Sequence, residues 1–302
     1  MRVFVTGATG FVGSAIVGEL IGAGHRVLGL ARSDEAAKAL VAAGAEVHRG
    51  SLEDLDSLRS GARAAEAVIH TAFIHDFSNV PAAAETDRLA IVTLGEVLGE
   101  SNRPLLVTSG TALVSPGRIV TEEDTPDPAP RAAWPRISEE TALDMVSRGV
   151  AASAVRLPLS VHGNGDHGFV PLLIGIAREK GISAYVGDGQ NRWPAVHRLD
   201  AAHLFRLALE KGVAGARYHG IGDEGVPFRE IADVIGRRLN VPVVSKSSEE
   251  AAAHFGWFAG FASIDAPASS ARTQQLLQWH PQHPTLLEDL DRGHYFEAAS
   301  RA

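Results

Sequence analysis

Residues 6–13 read Thr6-Gly7-Ala8-Thr9-Gly10-Phe11-Val12-Gly13, and they join the apolar run Arg2–Thr6 to the helix-period stretch Val12–Ala23. A G-x-x-G-x-x-G spacing has mechanical meaning in that strand–turn–helix context. Gly7 permits the tight turn, Gly10 lets backbone N–H groups approach a pyrophosphate, and Gly13 lets helix and strand pack closely. The helix amino terminus adds a favourable field for the anion. The stretch reads as a dinucleotide site, with Thr9, Phe11 and Val12 contributing alongside the glycines.

Outward from this turn, short aliphatic runs alternate with helix-period stretches, the pattern of βαβ units on a parallel sheet. Strands are expected at Arg2–Thr6, Arg26–Leu30, Ala45–Arg49, Ala67–His70, Leu105–Thr108 and Ser153–Leu157. Helices are expected at Val12–Ala23, Asp34–Ala43, Asp54–Gly61, Ala82–Glu100 and Arg136–Arg148. The fold class that follows is α/β: a Rossmann-type doubly wound parallel sheet of six strands over residues 1–158. Beyond Pro158 the regularity weakens. Glycine turns at Gly163–Gly168 and Gly187–Gly189 flank a helix at Pro171–Lys180, with further helices at Asp200–Lys211 and Phe228–Leu239. Residues 159–302 read as a smaller C-terminal substrate lobe, with 195–220 packing back on the first domain. Acidic, Pro-rich Glu122–Pro135 reads as a surface loop, because regular patterns resume after it.

Composition narrows the class. With 45% hydrophobic and 21% charged residues in 302, disorder and collagen are excluded. No apolar run approaches the roughly 18 to 20 residues of a spanning helix, so no membrane partner is expected. Met1-Arg2 leads directly into Val3-Phe4-Val5, which leaves no room for a signal peptide, and there are no cysteines; a cytoplasmic location is expected. Lys plus Arg (28) minus Asp plus Glu (36) gives −8 without a basic block, so nucleic acid is not an expected partner.

The end of the second strand decides the cofactor. A carboxylate there would hold the ribose 2′-hydroxyl and repel a 2′-phosphate, but Ala31 stands in that place. Arg32 and Ser33 offer a guanidinium and a hydroxyl suited to phosphate, so NADP(H) is expected over NAD. In the competing reading Arg32 is a solvated turn residue and Asp34 reaches the ribose.

With the glycine turn, Arg32, and the segment Val196-His197-Arg198-Leu199-Asp200-Ala201-Ala202, the chain resembles the extended short-chain dehydrogenase/reductase family of NAD(P)-dependent epimerases, dehydratases and ketone reductases. Further matches are His70-Thr71-Ala72, Thr108-Ser109, Arg156-Leu157-Pro158 and Val161-His162-Gly163. The resemblance implies that Leu52 lies against the adenine, Thr71, Ala72 and Phe73 near the ribose and pyrophosphate, and Leu157, Pro158 and Leu159 near the nicotinamide amide. It also implies a homodimer through Ala82–Glu100 and Arg136–Arg148, and a mainly structural role for the His197 stretch.

One departure bears on chemistry. The family relies on a Tyr-x-x-x-Lys pair at the fifth helix, where the Lys lowers the Tyr pKa for proton exchange. Here the region reads Ala133-Trp134-Pro135-Arg136-Ile137-Ser138-Glu139-Glu140-Thr141, with Glu139 or Glu140 in the Lys place and no Tyr between residues 1 and 184. Ser109 matches the family's catalytic serine and, with Thr111, could hydrogen-bond a substrate; both could equally satisfy their own turn. His75, beside Asp76 on the loop after the fourth strand, could deliver the proton or could simply be an exposed imidazole. Arg136, near the missing Tyr, could anchor an anionic substrate or the nicotinamide ribose, or face solvent. Among Trp134, Trp193 and Phe169 as apolar walls, Trp193 is the expected pocket residue, with His162 beside the nicotinamide. The 13 histidines include no H-E-x-x-H and no i, i+4 pair on a helix, so no metal is expected. These readings converge on an NADPH-dependent reductase of a small C=O or C=N group. The alternatives are a non-catalytic NADP(H) sensor and an epimerase or dehydratase.

Overall fold

A computed structural model of the chain describes residues 1–76, 79–99, 101–112, 114–126 and 137–297. The first part runs β1 (Arg2–Thr6), α1 (Phe11–Gly22), β2 (Arg26–Ala31), α2 (Asp34–Ala42), β3 (Glu46–Arg49), α3 (Leu55–Arg63), β4 (Ala67–His70), α4 (Val80–Leu98), β5 (Pro104–Gly110), α5 (Ser138–Asp144) and β6 (Ala151–Leu157). The rest is β7 (Ser160–His162), α6 (Phe169–Lys180), β8 (Ser183–Val186), β9 (Arg192–His197), α7 (Arg198–Lys211), β10 (Arg217–His219), β11 (Asp223–Pro227), α8 (Phe228–Leu239), β12 (Val243–Lys246), α9 (Ser248–Phe255), α10 (Ala259–Ser263), α11 (Ala271–Leu277) and α12 (Leu286–Asp291).

The main sheet has seven parallel strands in the order β10-β6-β5-β4-β1-β2-β3, a doubly wound Rossmann-type α/β sheet. The seventh strand, β10, was not expected from the sequence; it pairs Tyr218 with Val155 at the β6 edge. Buried on both faces, these strands read as unbroken apolar runs such as Val3-Phe4-Val5, which send side chains alternately to opposite sides. Val3 and Val5 meet α1, α2 and α7 through Ile16, Leu40 and Phe205, while Phe4 meets α3 and α4 through Leu58 and Ile91. Ser33 caps α2, Asp54 caps α3 and Asn79 caps α4, each side chain accepting a first-turn backbone N–H. Arg136, expected to open the fifth helix, lies outside the described residues; Ser138 begins α5.

The lobe holds a three-stranded sheet, β11-β9-β7, and the parallel pair β12-β8. Its core is aromatic, with Trp193 packed against Phe228 at 4.9 Å and Phe258 at 5.9 Å. Late segments return to the main sheet: Trp279 is fully buried in the α1 and α7 core, and its Nε1–H donates to the Asp200 carbonyl at 3.0 Å. None of the described helices is long and apolar enough to cross a membrane.

Candidate cofactor site and crevice

The glycine turn has no room for side chains where it must be tight. Gly7 sits at φ +68°, and a Cβ on it would fall 2.7 Å from the Ala72 nitrogen and from Thr71 Oγ1. At Gly13 a Cβ would lie 1.9 Å from the Gly7 carbonyl oxygen, so only glycine lets α1 start this close to β1. Gly10 caps α1 without a side chain, its N–H donates to the Gly7 carbonyl at 2.9 Å, and no acidic residue stands in the first turn. Backbone N–H groups at the start of α1 therefore meet no competing anion on their own turn. Gly10 and Thr9 are exposed beside half-buried Phe11 and Val12.

At the far end of this edge, Arg32 is exposed and has no ion pair among the described residues. Ser33 Oγ accepts the Ala36 N–H at 3.2 Å, and its hydroxyl hydrogen turns toward the neighbouring Glu35 carboxylate. Asp34, the competitor for the ribose, is held by Arg49 at 2.5 Å. Leu52 is buried nearby in sequence, and Thr71 donates its hydroxyl to the Thr6 carbonyl at 2.8 Å, fixing the Thr71–Phe73 segment against the turn.

The carboxyl ends of β5 and β6 are joined where Gly110 pairs with Leu157 and the Thr111 N–H donates to the Leu157 carbonyl at 3.0 Å. Ser109 is half-buried in β5, in register with Arg156. Thr111 is 1% exposed, and among the described residues its hydroxyl has no partner. Pro158 is buried and Leu159 half-buried just beyond. His75 is exposed, its ring 5.3 Å from Phe73.

Beneath this end lies a chain of buried polar groups that the sequence reading missed. His70 Nε2 meets Asp87 Oδ1 at 3.0 Å, the other Asp87 oxygen accepts the Ser138 hydroxyl, and His70 Nδ1 meets Thr6 Oγ1 at 2.8 Å. All four residues are 2% exposed or less. The signal was present: Asp87 falls in the apolar stripe of α4 formed by Ala83, Ala84, Ala90, Ile91 and Leu94. Beside it, Glu139 accepts both Nε–H and Nη2–H of Arg156 at 2.7 Å and the Arg217 Nε–H at 2.6 Å. Burial opposes its charge, but the two guanidiniums outweigh burial and hold its carboxyl below the usual range. Glu139 is consequently a charged structural anchor.

Two expected pocket residues are corrected. Trp193 is 0% exposed in the aromatic core, with its indole N–H donated to the Phe261 carbonyl at 3.1 Å, so it offers no surface to a substrate. His162 is likewise fully buried, with Nδ1 2.9 Å from Asp289 and its ring edge-on to His197 at 5.4 Å. Trp134 and Arg136 lie outside the described residues. The fold also brings His197, Asp200 and His283 together. The two imidazoles stack at 4.7 Å and 8°, so their in-plane lone pairs do not converge on one ion. Asp200 already accepts the backbone N–H groups of Gln282 and His283 at 3.0 Å. The three tyrosines are all late in the chain: Tyr185 under Arg229, Tyr218 accepting the Val213 N–H at 2.9 Å, and Tyr295 donating to Asp166 at 2.9 Å.

A glycine-lined turn at the first β–α junction of a doubly wound sheet defines a dinucleotide-binding protein. Residues 3–221 match the family model described as the NAD dependent epimerase/dehydratase family, and the chain belongs to that family. It is 53% identical over 299 residues to an uncharacterized protein of Schizosaccharomyces pombe, covering 98% of this chain and 100% of that one. A 4-hydroxy-2-methyl-3-oxo-4-farnesyl-3,4-dihydroquinoline-1-oxide ketoreductase of Stigmatella aurantiaca is 28% identical over 285 residues, 89% of this chain and 84% of the relative. In fold, the chain matches a dTDP-glucose 4,6-dehydratase of Streptomyces venezuelae solved with NAD and TYD, at TM-score 0.78 and 20% identity over 97% of this chain and 96% of that one.

Proposed function

We propose that the protein is an NADPH-dependent reductase of a C=O or C=N group. The observation that carries the cofactor half is the pairing of the glycine cradle, which a Cβ at Gly7 or Gly13 would fill, with Arg32 left without an ion pair among the described residues while Arg49 holds Asp34. NADPH, when bound, supplies the hydride. The chain's own task is to orient the acceptor and deliver one proton. Ser109, at the carboxyl end of β5, donates its hydroxyl to the substrate oxygen or nitrogen, and Thr111 is a second donor. His75, on the loop after β4, carries the proton, either directly or through a water held by Ser109. A C=N acceptor fits this machinery well, because an iminium needs less acid assistance than a ketone. The ketoreductase relative performs, by its name, a carbonyl reduction of the same kind. Pairing through α4 and α5 makes the homodimer part of this reading.

One observation favours a second reading. Because Glu139 is locked between Arg156 and Arg217, α5 supplies no proton donor at that position, as a non-catalytic NADP(H) sensor would allow. An epimerase or dehydratase is less favoured, since oxidising an alcohol needs a base.

Fluorescence titration with NADPH and NADH, followed by NADPH oxidation against ketones, aldehydes and cyclic imines, separates these readings. NADPH is expected to bind at least tenfold tighter than NADH, with Arg32→Ala bringing the two together. His75→Ala is expected to lose about 100-fold in turnover at unchanged NADPH affinity. Unchanged turnover removes His75 from the mechanism, and tight binding without any oxidation favours the sensor.

A further inference from the structure

The glycine turn and the helix behind it, residues 6–22, contain no Lys or Arg. A dinucleotide diphosphate is a dianion, so a side-chain cation that offsets it has to come from another part of the chain. Arg198 and Arg206 of α7 both reach α1. Arg206 is consumed there: its Nε–H donates to Glu19 at 2.7 Å and its Nη1–H to Glu210 at 3.0 Å. Arg198 meets only neutral groups. Its Nη2–H donates to Ser14 Oγ and its Nη1–H to the Asn164 carbonyl, each at 2.9 Å, and its guanidinium carbon lies 4.5 Å from the centre of the Phe11 ring. Phe11 is the first residue of α1, and Ser14 lies in its first turn.

Among the described residues Arg198 has no carboxylate partner, and the acids of the neighbouring segments are engaged elsewhere. Asp166 accepts the Gly168 N–H at 2.7 Å and the Tyr295 hydroxyl at 2.9 Å, and Asp200 accepts the Gln282 and His283 N–H groups at 3.0 Å. The placement is electrostatically unfavourable in the protein alone. Arg198 stands at the amino ends of α1 and α7 at once, where both helix dipoles already present positive charge. Burial pushes its pKa down with no acid beside it to raise it, and its Nε–H is buried without a partner. The fold nevertheless holds the side chain there. Its stem runs along the turn after β7, where a Cβ on Gly163 (φ +135°) would fall 3.0 and 3.1 Å from Arg198 Cγ and Cδ, and His167 of the same loop stands edge-on to Phe11 at 5.7 Å. A half-buried cation that nothing in the chain neutralises, set against a turn shaped for an anion, is completed by that anion.

We propose that Arg198 is a cofactor-binding residue supplied by the C-terminal lobe, its guanidinium serving as the counter-charge for the dinucleotide diphosphate at the Gly7–Gly13 turn. This rests on the dinucleotide part of the proposed function and is independent of the reduction. Of the five N–H donors of a guanidinium, Ser14 and Asn164 take one each, so each Nη keeps one for a phosphate oxygen. Stacking on Phe11 fixes the plane of the group and leaves its edge for these bonds. The two arginines then divide the cofactor: Arg32 meets the 2′-phosphate that distinguishes NADPH from NADH, and Arg198 meets the diphosphate that both carry.

The test is binding to the whole chain, measured without a carbonyl substrate. In fluorescence titrations Arg198→Gln is expected to weaken NADPH and NADH alike by about 10- to 100-fold, with their ratio as in wild type. Adenosine 2′-monophosphate, which carries the 2′-phosphate without the diphosphate, is expected to bind wild type and Arg198→Gln equally in calorimetry. Arg198→Lys, which keeps the charge, is expected to recover part of the lost affinity, and Arg206→Gln, which removes a charge from the same helix, to bind both dinucleotides as wild type does. Melting without cofactor separates binding from bracing: Arg198→Gln is expected to lie within about 2 °C of wild type, because the charge it removes has no partner there. Dinucleotide binding by Arg198→Gln equal to that of wild type, a loss shared by adenosine 2′-monophosphate, or a melting point lowered by more than about 5 °C with no recovery in Arg198→Lys, overturns the proposal and leaves the cofactor site standing. An NADPH-to-NADH ratio near one, or binding without turnover of any carbonyl, fails the NADPH or the reductase reading and leaves Arg198 in its role.

Discussion

The face of the main sheet covered by α1, α2 and α7 is closed largely by aliphatic contact, whereas the face covered by α3, α4 and α5 ends in polar groups. On the first, Val3, Val5, Ile16, Leu20 and Phe205 are essentially fully buried and bring α1 close enough for the Gly7–Gly13 turn to form. On the second, Thr6, His70, Asp87, Ser138, Glu139 and Arg156 are all 2% exposed or less, and hydrogen bonds link Thr6, His70, Asp87 and Ser138 in one chain and Glu139 with Arg156 in a second. Apolar packing tolerates no extra volume, and buried charge tolerates no lost partner. That difference bears on the proposed chemistry: charges consumed in holding α5 to the sheet cannot move protons, so the reductase reading proposed above gives proton transfer to His75 and the hydroxyls of Ser109 and Thr111 instead.

The largest expected effect is on the polar face. Glu139→Gln leaves Arg156, which is 0% exposed, without its counter-charge, and removing one partner of such a pair costs about 3–5 kcal/mol. Urea unfolding checks this, and the double variant Glu139→Leu with Arg156→Met is expected to cost less than the sum of the singles. A loss under about 1 kcal/mol in the single variant would mean that the ion pair does not hold α5. On the apolar face, Gly13→Ala puts a methyl 1.9 Å from the Gly7 oxygen. Overpacking of this kind costs about 3 kcal/mol, and the displaced turn is expected to abolish NADPH binding. Normal NADPH affinity in this variant would break the close-packing account of the turn.

How much of this was legible follows the same divide. The aliphatic runs and capping residues gave β1, β4 and α8 to the residue, and the other expected elements to within a few residues, because strand and helix periodicity are local properties. Strand β10 was not legible: Arg217-Tyr218-His219 is short and polar, and becomes a strand only because β6 offers an open edge. The Trp193 reading failed for a related reason. Its flanking glycines and proline suggested a pocket, but the aromatic partners Phe228 and Phe258 lie far along the chain. Ser14 and Arg198, 184 residues apart, are equally invisible without the fold. Asp87 was a buried acid that local pattern could have exposed, standing in an otherwise apolar helical stripe.

The smallest expected effect concerns acid, and it separates the faces by titration. His219, 0% exposed at the end of β10, has Nδ1 2.8 Å from the Ser269 carbonyl and Nε2 3.2 Å from Arg156 Nη1. Those partners fix a neutral ring that donates from Nδ1 and accepts at Nε2. Burial, reinforced by the Arg156 charge against the pull of Glu122, lowers its pKa from 6.5 to about 4. His197, half-buried next to His162 and His283, is lowered to about 4 as well, again mainly by burial. Unfolding returns both to about 6.5. Between pH 6.5 and 4 the unfolded chain therefore binds protons that the folded chain does not, and stability falls as pH falls through that window, while above it these histidines contribute no slope. The loss assignable to His219 is roughly 2–3 kcal/mol. Carboxylates also titrate toward the lower end, so the informative quantity is the difference between wild type and His219→Gln, whose amide can donate to Ser269 and accept from Arg156 without acquiring a proton. Urea unfolding at pH 7.5, 6.0 and 5.0 is expected to show a shallower decline in the variant. Parallel declines would place the acid sensitivity elsewhere and remove His219 from the group of neutral partners that keep Arg156 and Glu139 in place.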